Sequence, residues 1–143
     1  MTSPRPDAEA VGRVRRRRRG SLAWNAGMRA EAAACAALAR DGWTILLRRA
    51  RTAAGEIDIV AEHRPPHAPS LLAFIEVKAR PRLAEAAAAL SLRQQARLLT
   101  AAAILQGQHP DWVHDGIRFD VLLVNEAGAV RRIADAFRQE QQD

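Results

Sequence analysis

The sequence contains little cysteine and few aromatic residues, and each shortage excludes a class of function. A single cysteine, Cys35, excludes an internal disulfide framework and a four-thiolate zinc site. Aromatic residues make up 4% of the 143 residues, too few for the base-stacking platform of a single-strand-binding protein. No segment approaches the roughly 18 consecutive apolar residues of a membrane span. We therefore expect a cytoplasmic protein that does not contact a membrane.

Lysine is almost absent, although the chain is strongly basic. The net charge is +6 and the pI is about 11.2, which favours a polyanionic partner such as nucleic acid or an anionic surface. Lys78 is the one lysine among 22 basic residues, and five arginines form the run Arg15–Arg19. A lysine ammonium is a compact charge with an adjustable pKa, a property that arginine lacks. Lys78 is therefore a candidate functional residue.

The N-terminal region is predicted to be a basic arm rather than part of the core. Residues 1–20 hold the arginine run and few apolar side chains, which is typical of a disordered segment. The run is either a phosphate-binding arm or a solvated tail. Residues 21–138 are predicted to form one domain, because the length suits a single core, and residues 139–143 a C-terminal tail.

Helical and strand patterns alternate along the domain. A first helix is predicted from Ser21 to Arg40, ended by Asp41 and Gly42, with Cys35 buried on its alanine-rich face. The face-forming positions are Leu22, Ala26, Ala30, Ala33 and Ala37. Three strands are predicted next, with period-two alternation in the second and third: Trp43 to Arg49, Gly55 to Ala61 and Leu71 to Ala79. In the second strand, Glu56 and Asp58 are expected on one face, with Ile57 and Ile59 on the other.

The remaining elements complete a mixed α/β (α+β) pattern. A second helical region is predicted from Leu83 to Gln106, most clearly after the N-cap candidate Ser91. One face of this helix would carry Leu92, Gln95, Leu98, Leu99 and Ala102. Two further strands are predicted at Ile117 to Asn125 and Ala129 to Ala134. The predicted order is α-β-β-β-α-β-β around one central mixed sheet.

The second and third strands carry the residues with the clearest chemistry. If they pair as a hairpin, Asp58, Glu76 and Lys78 are brought to one face of the sheet. Two adjacent carboxylates repel each other, so a bridging cation would relieve the cost of placing them together. Hard oxygen ligands suit Mg²⁺ or Mn²⁺, and a nearby lysine could neutralise charge that develops on a phosphate. The alternative is a solvent-facing strand surface with a cross-strand ion pair.

The histidines and the other acidic residues are interpreted more conservatively. His63, His67, His109 and His114 lack the spacing of a zinc site, so they are predicted to be solvated loop residues. Glu56 is interpreted as a surface carboxylate. Asp120 is predicted to form a structural ion pair with Arg118 or another neighbour.

Four motifs in this order resemble those of a known family. They are Gly27-x-x-x-Glu31, Gly55-Glu56-Ile57-Asp58, the segment Phe74-Ile75-Glu76-Val77-Lys78-Ala79-Arg80, and Arg118-Phe119-Asp120-Val121. From about Gly27 to Phe137 the chain resembles the YraN-like family of small bacterial proteins. That family is itself similar to the PD-(D/E)xK nuclease superfamily of restriction endonucleases and Holliday junction resolvases. The resemblance implies a restriction endonuclease-like core.

The resemblance also implies roles for individual residues. Asp58 and Glu76 would be metal ligands, with the Val77 carbonyl as a third, and Lys78 would be the catalytic lysine. Glu31 would complete the carboxylate cluster, and Gln95 would face the site from the second helix. YraN-like sequences tend to have a lysine where Gln94 stands here, and Arg93 or Arg97 would then contact phosphate instead. The other nucleic-acid contacts are assigned to Arg48, Arg49, Arg51 and Arg80.

The resulting prediction is a nuclease that requires Mg²⁺ or Mn²⁺ and hydrolyses phosphodiester bonds of DNA, with branched or structured DNA as one option. The alternative is a nuclease-fold module that binds nucleic acid without cleaving it. Homodimerisation is left open.

Overall fold

A computed structural model describes residues 26–80 and 90–137. Helix α1 covers residues 26–40. The later elements are β1 (Thr44–Thr52), β2 (Gly55–His63), β3 (Leu71–Ala79), α2 (Leu92–Gln108), β4 (Gly116–Val124) and β5 (Val130–Phe137). The predicted element order and mixed class are confirmed. The predicted arm, the residues at 81–89 and the C-terminal tail lie outside the described residues, as does the expected start of α1 at Ser21.

One five-stranded sheet organises the domain. Its strands follow the order β1-β2-β3-β4-β5, and every neighbouring pair is antiparallel except β3 and β4, which are parallel. Parallel neighbours need a crossover connection, and α2 lies in the connection between them. No helix in the described residues is long and apolar enough to cross a membrane.

The two helices cover opposite faces of the sheet. On β3, Ala73 and Ile75 belong to a core cluster with α1, whereas Leu72 and Phe74 belong to a cluster with α2. Successive side chains of a strand point to opposite faces, so Glu76 and Lys78 continue the α2-facing row. Val77 packs against the α1 cluster. The chemically interesting end of β3 is therefore flanked by both helices.

The buried faces of the helices differ in detail from the predicted ones. In α1 the fully buried positions are Ala34 and Leu38, while Ala26 is exposed, because the contact face is centred on Ala30, Ala34 and Leu38. Cys35 borders this face and is half-buried, not buried as predicted. Its partial burial raises the pKa of the thiol.

Helix α2 begins at the predicted N-cap. The Ser91 side chain accepts a hydrogen bond from the Gln94 backbone, and the Gln94 side chain accepts one from the Ser91 backbone. This reciprocal capping stabilises the helix start. Leu92 was predicted to share a face with Leu98 and Ala102, but it is 83% exposed whereas those two are buried. The buried positions are Leu98, Ala101, Ala102 and Leu105.

The His114 side chain is not solvated, so that prediction is wrong for it, while His63 and His109 are half-buried. The His114 side chain is 1% exposed, and its Nε2 lies 2.7 Å from Glu62 Oε2. His63 stacks on Trp43, and His109 stacks on Trp112. Only His67 is exposed as predicted. The loops hold these rings because the β2 end and the segment before β4 pack together.

Asp120 anchors β4 to β5 as a buried carboxylate. Its oxygens accept hydrogen bonds from the Arg118 and Arg132 guanidinium groups, both at 2.8 Å, and from the Asp135 backbone N–H at 2.9 Å. Both guanidinium groups also lie over the Trp43 ring. The predicted ion pair with Arg118 is confirmed. Burial alone would raise the pKa of Asp120, but these hydrogen bonds outweigh it and lower the pKa.

We expect Asp120→Ala to reduce the free energy of unfolding by about 3 kcal/mol, because two partly buried arginines lose their shared partner. Urea denaturation measures this loss, with Asp111→Ala at an exposed position as the control. The lowered pKa means that the ionised carboxylate stabilises the fold at every pH above its ordinary pKa of 3.8. The difference between wild type and variant should narrow only as the pH falls below that value. A constant difference down to the lowest pH would contradict this assignment.

Candidate active site

The carboxylate of Asp58 lies where β2 and β3 stop pairing. The β2–β3 ladder ends at the pair Ile59–Ile75. Just beyond it, Asp58 Oδ2 accepts a hydrogen bond of 2.8 Å from the Val77 backbone N–H. The side chain thus satisfies a backbone donor at the end of the ladder. The contact fixes the Asp58 carboxylate beside the start of the Glu76–Lys78 segment.

The faces of β2 change at the same place, which corrects one prediction. Ile57 and Ile59 were expected on one face, but Ile57 belongs to the α2 cluster and Ile59 to the α1 cluster. β2 stops pairing with β3 here but stays paired with β1 on both sides of Asp58, whose own position is unpaired, and such an irregularity breaks strict alternation. Asp58 is therefore placed between the two faces rather than on one of them.

Glu76 and Lys78 lie next to Asp58. The Lys78 Nζ is 3.6 Å from Glu76 Oε1, and the two side chains are 18% and 11% exposed. The carboxyl groups of Asp58 and Glu76 are near enough for each to shift the pKa of the other. The structure therefore brings Asp58, Glu76 and Lys78 into one cluster. The cluster is partly shielded from water, which strengthens its electrostatic interactions.

The two carboxyl groups resist being charged together. Burial and the Asp58 carboxylate raise the pKa of Glu76 to about 7, although Lys78 and Arg97 oppose the shift. Burial also raises the pKa of Asp58, although the hydrogen bond from the Val77 N–H opposes the shift. Ionising both carboxyl groups is therefore unfavourable, and a bound cation would reduce that cost.

Glu31 reaches the site from the α1 face. Its side chain is 7% exposed and lies 2.9 Å from Arg48 Nε and 3.5 Å from Arg49 Nε. A pocket of about 240 Å³ is lined by Glu31 together with Asp58, Val77, Glu56, Arg49 and residues of the α1 start. The charge of Glu31 also raises the pKa of Asp58. Glu31 therefore approaches Asp58, whereas Glu76 and Lys78 lie on the α2-facing row.

An unusual backbone conformation lets two neighbouring arginines meet Glu31. Adjacent strand residues normally point to opposite faces, yet Arg48 and Arg49 both approach the same carboxylate. Arg49 has a φ of +48°, in the left-handed region that a non-glycine residue rarely adopts. The β1–β2 pairing is also irregular between Ile45 and Leu47. No sequence pattern predicts that the Arg49 side chain points toward the pocket.

The other predicted nucleic-acid contacts are placed less uniformly. Arg51 is 89% exposed and lies 3.5 Å from Glu56. Arg80 donates to the Ala79 carbonyl and lines a second groove beside the site, together with Arg29. The Gln95 amide donates to the Leu90 carbonyl, so it is used at the start of α2 rather than in contact with the carboxylates.

Two features of the site were missed by sequence reasoning. Glu56 was interpreted as a surface carboxylate, but it lines the pocket and raises the pKa of Asp58. The shared face of Glu56 and Asp58 was the available signal. The second feature is the close approach of Arg97 to Gly55. No local sequence pattern predicts it, because α2 and β2 are distant from each other in sequence.

The donor set can be compared with the needs of a metal. Within residues 26–80 and 90–137, no group of three or more His, Cys, Asp and Glu side chains is arranged to hold a metal ion. Mg²⁺, however, is commonly bound by one or two carboxylates and keeps several waters. The adjacent carboxyl groups of Asp58 and Glu76 fit that smaller requirement. The raised pKa of Glu76 is consistent with this requirement, because it shows that the two carboxyl groups lack a nearby positive charge sufficient to keep both ionised.

Gly55→Ala should destabilise the fold by about 1–3 kcal/mol, because Gly55 has a φ of +133°, a conformation strained for any other residue. Gly107→Ala is the control, since Gly107 is helical and an added Cβ there would meet nothing within 4 Å. That change should be neutral or slightly stabilising. Chemical denaturation of both variants measures the difference. Equal stability of the two variants would contradict the need for glycine at position 55.

Comparison with known proteins now identifies the family. Residues 30–124 match the family described as "Uncharacterised protein family UPF0102". A UPF0102 protein of Granulibacter bethesdensis is 52% identical over 87% of this chain and 75% of its own length. One of Azorhizobium caulinodans is 40% identical over 96% of both chains. One of a Bradyrhizobium species is 43% identical over 80% of this chain and 78% of its own. The chain therefore belongs to the UPF0102 family, the YraN-like family that its motifs resemble.

Proposed function

We propose that this protein is a metal-dependent nuclease that hydrolyses phosphodiester bonds of DNA, in the cytoplasm. The observation that carries the proposal is the clustering of Asp58, Glu76 and Lys78: the N–H of Val77, between the other two residues of the strand, holds the Asp58 carboxylate, and Lys78 Nζ is 3.6 Å from Glu76. A structural ion pair needs only one carboxylate for one lysine. A second carboxylate pressed against the first is costly in a fold unless a ligand uses it.

Each member of the cluster has a distinct task in this proposal. Asp58 and Glu76 would hold Mg²⁺ or Mn²⁺, with the Val77 carbonyl as a further oxygen donor. Such a cation polarises a phosphate and lowers the pKa of bound water. The Val77 N–H fixes the orientation of Asp58, so the ligand is preorganised. Lys78 would place a compact positive charge where negative charge develops on the phosphate.

The surroundings of the carboxylates suit a polyanionic substrate. Arg48 and Arg49 lie at the pocket and Arg51 on the same strand, while Arg29 and Arg80 line the groove beside it. Arginine forks match phosphate geometry, and their contacts with a backbone carry no sequence information. The charge distribution therefore favours a nucleic acid strand, read by its phosphates, over a small neutral substrate.

Metal binding provides the first test. Wild type should bind Mn²⁺ in isothermal titration calorimetry, and Asp58→Ala should lose that binding because half of the carboxylate pair is removed. Asp41→Ala, which changes an exposed acidic residue at the end of α1, is the matched control and should bind as wild type does. Retention of Mn²⁺ affinity by Asp58→Ala would assign the ion to another place and remove the basis of the proposal.

Lys78 provides the second test, because its charge acts on the transition state. Lys78→Ala should keep Mn²⁺ and most DNA affinity while turnover falls by about 100-fold or more, as when one preorganised charge is removed. Lys78→Arg should not restore turnover, since arginine spreads its charge over a wider planar group and is not deprotonated. Cleavage of labelled duplex, single-stranded and branched DNA with Mg²⁺ or Mn²⁺ measures the effect. Full activity of Lys78→Ala would exclude this role.

The same assays address the alternative function. If wild type binds DNA but cleaves neither DNA nor RNA with either metal, the protein is a nuclease-fold binding module. In that case Lys78→Ala would weaken binding only as much as the loss of any other contacting charge.

A further inference from the structure

Arg97 of α2 lies across the first residue of β2. A Cβ added to Gly55 would be 2.9 Å from Arg97 Cδ and 3.3 Å from its Cγ, a separation that real Cβ atoms do not show. The absence of a side chain at Gly55 therefore lets the aliphatic part of Arg97 rest directly on the backbone. Gly55 begins the Gly-Glu-Ile-Asp segment that ends at Asp58, so this contact is three residues from the carboxylate cluster.

The side chain of Arg97 lies beside the start of β2, and no described residue pairs with its guanidinium. Within the described part of the chain, no carboxylate lies within 4.0 Å of it and no hydrogen bond to it is formed, although its charge is felt at Glu76. Arg97 is exposed, unlike Arg118 and Arg132, whose guanidinium groups are occupied by Asp120. Its five N–H donors are thus held near the carboxylates and remain available to a ligand.

We propose that Arg97 binds a phosphate of the nucleic acid strand at the Asp58–Glu76–Lys78 cluster, and that Gly55 is the seat that positions it. This inference rests on the proposed function, and of the two arginines that the resemblance offers for phosphate contact, Arg93 and Arg97, it selects Arg97 and assigns its positioning to Gly55. The guanidinium fork donates hydrogen bonds to two phosphate oxygens at once, a geometry that the single ammonium of Lys78 cannot offer. The two cations then approach the phosphate from different elements, Lys78 from β3 and Arg97 from α2.

The test measures DNA affinity without metal, so that it does not depend on cleavage. Fluorescence anisotropy with labelled duplex and branched DNA in EDTA is recorded over a range of salt concentrations for wild type, Arg97→Ala and Arg97→Lys. Arg40→Ala is the matched control, because Arg40 is an exposed arginine on α1, nine residues and about 14 Å beyond Glu31. It removes the same charge at a distance from the cluster.

Arg97→Ala should weaken DNA binding about tenfold, as expected for a lost charge-assisted contact, and should reduce the slope of log affinity against log salt by about 0.9. Arg97→Lys should preserve the slope, since the charge remains, but recover only part of the affinity because the fork is lost. The Arg40→Ala affinity should remain within about twofold of wild type. Thermal unfolding of all four proteins should agree within a few degrees, since both positions are exposed.

The outcomes separate the two proposals. Equal affinities of Arg97→Ala and Arg40→Ala, or full recovery of affinity in Arg97→Lys, would overturn the bidentate role of Arg97 whether or not the protein cleaves DNA. A wild type that binds DNA, loses affinity in Arg97→Ala and is inert with Mg²⁺ and Mn²⁺ would support the Arg97 contact and refute the nuclease activity. A wild type that binds no DNA in EDTA would refute the Arg97 contact, whereas the nuclease activity is decided by the cleavage assays with Mg²⁺ and Mn²⁺.

Discussion

The hydrogen bond from the Val77 N–H to Asp58 governs the geometry of the site, because it forms where the β2–β3 ladder ends at Ile59 and Ile75. A ladder that continued would hold the residues after Ile75 in regular pairs, and Asp58 would project from one face of the sheet. Instead the strand leaves its partner and the carboxylate turns toward the backbone of β3. The Asp58 side chain thereby accepts the Val77 N–H in place of a backbone carbonyl of β2. The end of the β2–β3 pairing and the position of the Asp58 carboxylate therefore have the same cause.

The consequence is a site at the junction of two faces. Glu76 and Lys78 continue the α2-facing row of β3, while Glu31 arrives from α1 and is held by Arg48 and Arg49. Asp58 interacts electrostatically with both sides of the site, since Glu76 and Glu31 each alter its pKa. Neither helix alone could surround the carboxylates. The parallel pairing of β3 with β4, which requires α2 to cross the sheet, is therefore what gives the site its second wall.

The sequence predicts most of the fold because most of it depends on local patterns. Period-two alternation, the Ser91 cap and the Asp41-Gly42 stop each act over a few residues, and the elements they predict are present. Asp58, Glu76 and Lys78 could also be singled out, since their spacing is readable along two adjacent strands. What the sequence could not predict depends on departures from regularity or on distant contacts. The split of Ile57 and Ile59 between two cores, the left-handed Arg49 and the burial of His114 are of that kind.

Charge explains why a protein with a net charge of +6 can keep several carboxylates together. Asp120 is also a buried carboxylate, but two guanidinium groups at 2.8 Å neutralise it, and its pKa is lowered. Glu31 has Arg48 and Arg49 close by. The pair of Asp58 and Glu76 is treated differently, since one lysine faces two carboxyl groups and the pKa of each is raised. Although the sequence contains 22 basic residues, Lys78 is the one cation that forms an ion pair with these carboxyl groups among the residues that the structure describes. In the proposed function, a divalent cation would supply the positive charge that this pair lacks.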